Sequence, residues 1–213
     1  MKMKELFDRG EFVVSAEVGP PKGIHVDELV EEAKTYLKDV HAVNVTDNQS
    51  SVMRLGSLAM CKVLKDAGMN PIFQLACRDR NRIALESDLL SAAMFGIDNI
   101  LCLTGDHTKM GDHPQAKPVF DLDSVSLLHT VKLLEEGVDL AGALSSAWRC
   151  QQLSALTGQA WAFVRCMTSS FSFLPFMHHR QINHSYPDQQ NQNSHYLLIV
   201  LSVFVTLSLR KLL

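Results

Sequence analysis

Charge of one sign, paired cysteines and long apolar runs are all scarce in this sequence, and each scarcity removes a class of function. A formal net charge of −3 over 213 residues leaves no electrostatic footprint for nucleic acid. The five cysteines (Cys61, Cys77, Cys102, Cys150 and Cys166) are odd in number and form no CxxC pair, which argues against a disulfide framework and a zinc ribbon. Three of them lie inside apolar strand or helix patterns, so reduced, buried thiols are expected. No apolar run follows Met1-Lys2-Met3-Lys4-Glu5, so no secretory signal is visible and a cytoplasmic location is expected. GxSxG, HExxH and P-loop spacings are missing as well, which leaves a nucleophilic hydrolase without support.

What is present falls into two parts. Residues 1–142 carry 15 Lys/Arg and 22 Asp/Glu, whereas residues 143–213 carry 5 and 1 and are rich in Ser, Gln, Asn and His. The break predicts a first domain over 1–142 and an unrelated tail over 143–213, either poorly ordered or derived from a shifted reading frame. In the tail, Tyr196–Leu209 is largely apolar, but it is shorter than the ~20 residues that span a bilayer. His178, His179, His184 and His195 lack metal-ligand spacing.

The first part is periodic. Short apolar β-type runs at Phe12–Val18, Ala42–Val45, Pro71–Ala76 and Asn99–Leu103 recur about every 29 residues. Near-continuous runs of this kind fit strands buried on both faces of a parallel sheet. A helical pattern follows each one. The first carries Val26, Leu29, Val30, Ala33, Leu37 and Val40, and the second carries Val52, Leu55, Ala59 and Val63 and stops at Gly68. The third runs from Asn81 to Phe95 before Gly96. The fourth opens at Asp123, carries Val125, Leu128, Val131 and Leu134, and ends at Gly137.

Four such units without a GxGxxG after the first strand favour an α/β fold of the (β/α)8 TIM-barrel type over a dinucleotide-binding fold. Only the first four to five βα units are accommodated, with an irregular or helical tail. The fourth strand is then expected to be an open edge, suited to pairing with a second copy as a half-barrel homo-oligomer.

Barrels of this type gather their chemistry at the C-terminal ends of the strands. Those ends read Ala16-Glu17-Val18-Gly19-Pro20-Pro21, Val45-Thr46-Asp47-Asn48, Gln74-Leu75-Ala76-Cys77-Arg78-Asp79-Arg80-Asn81 and Leu103-Thr104-Gly105-Asp106-His107. Glu17 interrupts an apolar strand, where desolvation raises a carboxyl pKa and suits it to general-acid work. The alternative is an acid paired with Arg78 or Arg80. Thr104-Gly105-Asp106 either lets a flat ring approach the backbone beside an acid, or is a turn in which Asp106 caps an amide. The connection from His107 to Leu122 is too long for a simple βα loop, a length often tied to function. It repeats Gly-Asp-His at 105–107 and 111–113, so a divalent metal held by two Asp-His pairs, serving a lyase or hydrolase, is a further reading, although the spacing matches no metal motif.

Taken together, these strand ends resemble the methylenetetrahydrofolate reductase family over about residues 1–142. The most specific part is Leu101-Cys-Leu-Thr-Gly-Asp-His107 with Gly111-Asp-His-Pro-Gln-Ala-Lys-Pro-Val-Phe-Asp-Leu-Asp-Ser124. The resemblance implies a TIM barrel that binds FAD at its mouth and reduces 5,10-methylenetetrahydrofolate to 5-methyltetrahydrofolate in one-carbon metabolism. It implies Glu17 as the catalytic acid that opens the methylene bridge and Asp106 as the group that tunes the flavin and the cationic intermediate. Thr46, Gln74, Gly105 and Asp106 are implied to line the flavin, with no metal. The implied electron donor is NADH, NADPH or a ferredoxin-linked partner subunit. The pattern breaks after Gly137-Val-Asp-Leu-Ala-Gly142, so truncation is expected to impair the activity. A non-catalytic barrel remnant acting as an interaction module or half-barrel dimer is the alternative.

Overall fold

The computed structural model describes residues 1–143, together with the backbone of 154–155 and 202–204. The four predicted strands form: β1 (Val13–Val18), β2 (Ala42–Val45), β3 (Pro71–Ala76) and β4 (Asn99–Leu103). They are parallel neighbours in one sheet, with Glu17 in register with Asn44, Asn44 with Ile72 and Gln74 with Leu101. Each is followed by a helix: α2 (Asp27–Tyr36), α3 (Ser57–Asp66), α4 (Arg82–Met94) and α5 (Ser124–Glu136). This is the four-unit portion of a (β/α)8 barrel. α4 and α5 start where a side chain satisfies an amide of the first turn. Asn81 accepts from Ala84 N–H at 3.1 Å and Asp123 from Ser126 N–H at 2.7 Å, caps worth ~1 kcal/mol each.

Successive side chains of a strand point to opposite faces. One face of the sheet packs Ala16, Val18, Val43, Val45, Phe73, Leu75 and Ile100 against the helices in the main core. The other is apolar at its N-terminal end, where Val13, Ala42 and Ile72 cluster with Met3 and Leu6. Those two residues belong to α1 (Met3–Asp8), a helix that the hydrophobic pattern does not announce. It plugs the bottom of the concave face and is fastened by Met3 N–H donating to Asn99 Oδ1 at 2.7 Å. Burying Met3 and Leu6 contributes roughly 1.5–3 kcal/mol per side chain.

Three sequence expectations need correction. The second helix does not begin at Val52: Gln49–Ser51 form a 3-10 turn, and α3 buries Ser57, Met60, Cys61 and Leu64 while Ala59 is exposed. In α5, Val125 is 61% exposed and Leu127, Val131 and Leu134 face the core. The edge of β4 is not open along its whole length, because β5 (Ser154–Ala155) pairs in parallel with Asn99 and Ile100. At the other edge β6 (Ser202–Phe204) pairs antiparallel with Val13–Ser15. Edge strands carry unpaired backbone groups, and here segments of the tail supply partners for both edges, as strand where irregular or helical structure is expected. The four tail histidines, and Tyr196–Leu209 apart from β6, lie outside the described residues. Among the described residues no helix is long and apolar enough to cross a membrane. Cys61, Cys77 and Cys102 are free and buried, and burial pushes the Cys77 thiol up to about 11.

The tops of β2 and β3 are locked by charge. Asp47 has no exposed side-chain surface, and its carboxylate accepts from Ala76 N–H at 2.9 Å and from Arg80 Nη1 at 2.7 Å. Arg80 reaches on to Asp88 of α4 through Nε at 2.9 Å. Removing one partner of a buried pair strands the other charge. Asp47→Ala is therefore expected to cost about 3–5 kcal/mol in urea unfolding. Asp66→Ala, in the exposed Lys62–Asp66 pair, is expected to cost below ~1 kcal/mol. Equal losses at the two positions would contradict this assignment.

Candidate functional site

The sequence-predicted residues emerge at one edge of the sheet, where the polar half of the concave face begins. Glu17 is half-buried in β1, and Gln74 Nε2 of β3 donates to its Oε2 at 3.4 Å. Burial raises the Glu17 pKa, and the bond from Gln74 opposes this only in part. The ion-pair alternative for Glu17 fails. Arg80 is taken by Asp47 and Asp88, and Arg78 is taken by Asp79 at 2.8 and 2.7 Å. Gln74 thus touches the acid itself.

Around Glu17 the same face carries buried polar atoms without a hydrogen-bond partner among the described residues: Ser15 Oγ, Asn44 Oδ1 and Thr46 Oγ1. Thr46 sits just past β2, and its hydroxyl lies 3.7 Å from where a side chain on Gly19 would begin, so the neighbouring strand end leaves room beside it. An orphaned buried hydroxyl costs free energy unless a ligand or water satisfies it. Donor and acceptor groups along a concave wall suit the edge of a polar heterocycle, and in that respect these residues fit a flavin.

Gly105 follows β4 with φ +92°, and a Cβ there would meet the Arg78 Cβ at 3.0 Å. Only glycine relieves both constraints at this position. The turn exposes Asp106, whose carboxylate makes no hydrogen bond among the described residues, so the capping alternative for this side chain does not hold. The Asp106 carbonyl, by contrast, is held twice, by Ser51 Oγ at 3.0 Å and Arg78 Nη1 at 3.4 Å. The two candidate acids differ in kind: Glu17 is partly desolvated and Asp106 is open to solvent.

The sequence does not foresee how tightly the loops after β2 and β4 are joined. Asn48, Ser50 and Ser51 have φ of 46°, 55° and 59°, left-handed values that cost of order 1–3 kcal/mol each in strain and collect at functional sites. Ser51 also donates to the His107 carbonyl at 3.2 Å, and Gly111 packs so closely on the Ser51 carbonyl that no Cβ fits there. Asp112 closes the arrangement, accepting from Lys22 Nζ at 2.7 Å and Met53 N–H at 3.0 Å. The bond from Lys22, then those from His113 and Met53, holds its carboxyl well below the usual range. The long connection is thus a strap laid across the mouth.

Among the described residues, the one side-chain contact that joins two of the metal reading's four groups is His113 Nδ1 to Asp112 Oδ1 at 2.9 Å. Asp112 is engaged by Lys22 and Met53, and His107 Nδ1 accepts from Lys109 N–H at 3.2 Å. Among the described residues no three His, Cys, Asp or Glu side chains are grouped to hold a metal ion. A cleft of about 510 Å³ adjoins the mouth beside Thr104 and Gly105, walled by His107, Phe120 and Leu122. Glu17 and Gln74 do not line it.

A family model described as methylenetetrahydrofolate reductase matches residues 2–143, two thirds of the chain. Comparison with curated proteins finds no match.

The raised pKa of Glu17 has a consequence for stability. The folded chain holds this proton more tightly than the unfolded chain, so the stability it confers is full below the unfolded-state pKa and is lost as pH rises through the folded-state pKa. Glu17→Gln cannot ionise. It is expected to melt above the wild type near pH ~8 and no higher near pH ~3.5, below the ordinary glutamate value. Thermal melts across this range check it, and a pH-independent difference would contradict the desolvated-acid assignment.

Proposed function

The chain belongs to the methylenetetrahydrofolate reductase family, and from that premise we propose that it binds FAD at the mouth formed by β1–β4 and reduces 5,10-methylenetetrahydrofolate to 5-methyltetrahydrofolate. The observation that carries this reading is the pairing of Glu17 and Gln74 on a wall that also holds buried polar atoms with no partner among the described residues.

In this reading the reduced flavin supplies the hydride when bound. Glu17 holds the proton that the methylene bridge needs when it opens to an iminium. Desolvation raises the Glu17 pKa and so favours the acid form, and Gln74 donates to one of its carboxyl oxygens. Thr46 and Gln74 offer hydrogen bonds to the flavin edge, and Gly105 allows close approach of a ring to the backbone. The Asp106 carboxylate opposes build-up of negative charge on the reduced ring and favours the cationic folate intermediate. Two carboxylates in contrasting environments taking contrasting roles is a recurring arrangement in enzymes. The electron donor in this proposal is NADH, NADPH or a ferredoxin-linked subunit.

The test is anaerobic. The whole chain is loaded with FAD and reduced, and reoxidation is followed by absorbance on adding 5,10-methylenetetrahydrofolate. Reoxidation is expected in the wild type, slowed by about 10²-fold or more in Glu17→Gln with FAD still bound, the size of a lost general acid. Retained FAD with no folate-dependent reoxidation would favour the second reading, a barrel remnant that keeps a cofactor site without turnover. Equal rates in the wild type and Glu17→Gln would remove the acid role.

A further inference from the structure

We propose that Arg78 is a positioning residue: its buried guanidinium fixes the turn carrying Asp106 against the loop after β2, and so sets where the Asp106 carboxylate stands at the mouth. The catalytic meaning of this role rests on the flavin reading above; the geometry does not.

The Arg78 side chain is 3% exposed, and its neighbour Asp79 takes it in a fork, Nε to Oδ1 at 2.8 Å and Nη2 to Oδ2 at 2.7 Å. That fork orients the remaining donors. Nη2 reaches the Asn48 carbonyl at 3.2 Å and Nη1 the Asp106 carbonyl at 3.4 Å. One planar group therefore joins the first left-handed residue after β2 to the exposed acid after β4, which a lysine with a single ammonium head cannot reproduce. The backbone of Arg78 adds two further constraints. Its carbonyl accepts from Val119 N–H at 2.7 Å, anchoring the far end of the strap, and its Cβ lies 3.0 Å from where a side chain on Gly105 would begin.

A scaffold role is the competing account, and Arg80 shows what that looks like. Arg80 binds Asp47, the Ala76 carbonyl and Asp88, which belong to strand ends and a helix. Among the described residues, and beyond Asp79, the Arg78 guanidinium bonds only to the two loops. Loss of Arg80 is thus expected to loosen the sheet, and loss of Arg78 to loosen the mouth alone.

Hydrogen exchange on the full chain separates these accounts. The amides of Ser51, Met53, Met110 and Gly111 are bonded within or between the two loops. In Arg78→Met they are expected to exchange at least ~10-fold faster while β1 and α2 are unchanged, and Arg78→Lys should restore little of the protection. An unchanged rate at these amides, or a uniform rise through β1–β4, would overturn the proposal. If Arg78→Met does not fold, Asp79→Ala removes the fork at a more exposed position and should raise the same amides by a smaller factor; no change there overturns the proposal equally. With FAD bound, Arg78→Met and Asp106→Asn should move the flavin midpoint potential in the same direction, and the double variant no further. Fully additive shifts would reject action through Asp106. A wild type that retains no FAD would sink the flavin reading, and the exchange pattern would still decide the role of Arg78.

Discussion

The structure depends on finding partners for a carboxylate with no exposed surface. Asp47 lies at the top of β2 with its side chain fully covered, and an ionised acid in that position is tolerated only when charge and hydrogen bonds surround it. Arg80 and the amide of Ala76 meet that requirement, and in doing so they bind the end of β2 to the end of β3 and, through Asp88, to α4. Once those strand ends are fixed, Arg78, two residues before Arg80, is directed toward the two loops that form the mouth. The left-handed residues after β2 and the glycine turn after β4 then become affordable strain, because both sides of the contact are held.

The concave face shows the same logic along its length. At its N-terminal end Met3 and Leu6 close it with apolar contact, and from Ser15 through Asn44 to Thr46 it carries buried polar atoms with no partner among the described residues. A surface sealed below and unsatisfied above is suited to a ligand entering from the strand ends. Glu17, in register with Asn44, lies among these polar groups beside Gln74, half-buried, and burial raises its pKa. Asp106 stands beyond the sheet and keeps its solvent. The difference between the two acids is therefore a matter of depth on one face.

Much of this was legible in the sequence, and the limits have physical causes. β2, β3 and β4 begin and end where their apolar runs do, because strands covered on both faces have little tolerance for polar residues. Helix phase was harder to read. In α3 both Val52-Leu55-Ala59-Val63 and Met60-Cys61-Leu64 are apolar rows, and only the left-handed turn at Ser50 and Ser51 shows that the helix starts too late to use the first. α1 leaves no signature in the sequence because six residues carry too few apolar positions to show a period. At the site, residue types at strand ends pointed to Glu17, Thr46, Gln74, Gly105 and Asp106, while their partners were hidden. Nothing in the order of residues says that the acid meets Gln74 and not an arginine, since that choice follows from the register of β1 against β3 across β2.

The central claim is that these strand ends build a flavin site, and the most direct measurement is the visible absorption spectrum of the whole purified chain, mixed with excess FAD and then desalted. The account predicts flavin absorbance that stays with the protein, and loss of that absorbance when the unpartnered hydroxyl is removed in Thr46→Val. A folded but colourless protein would contradict it.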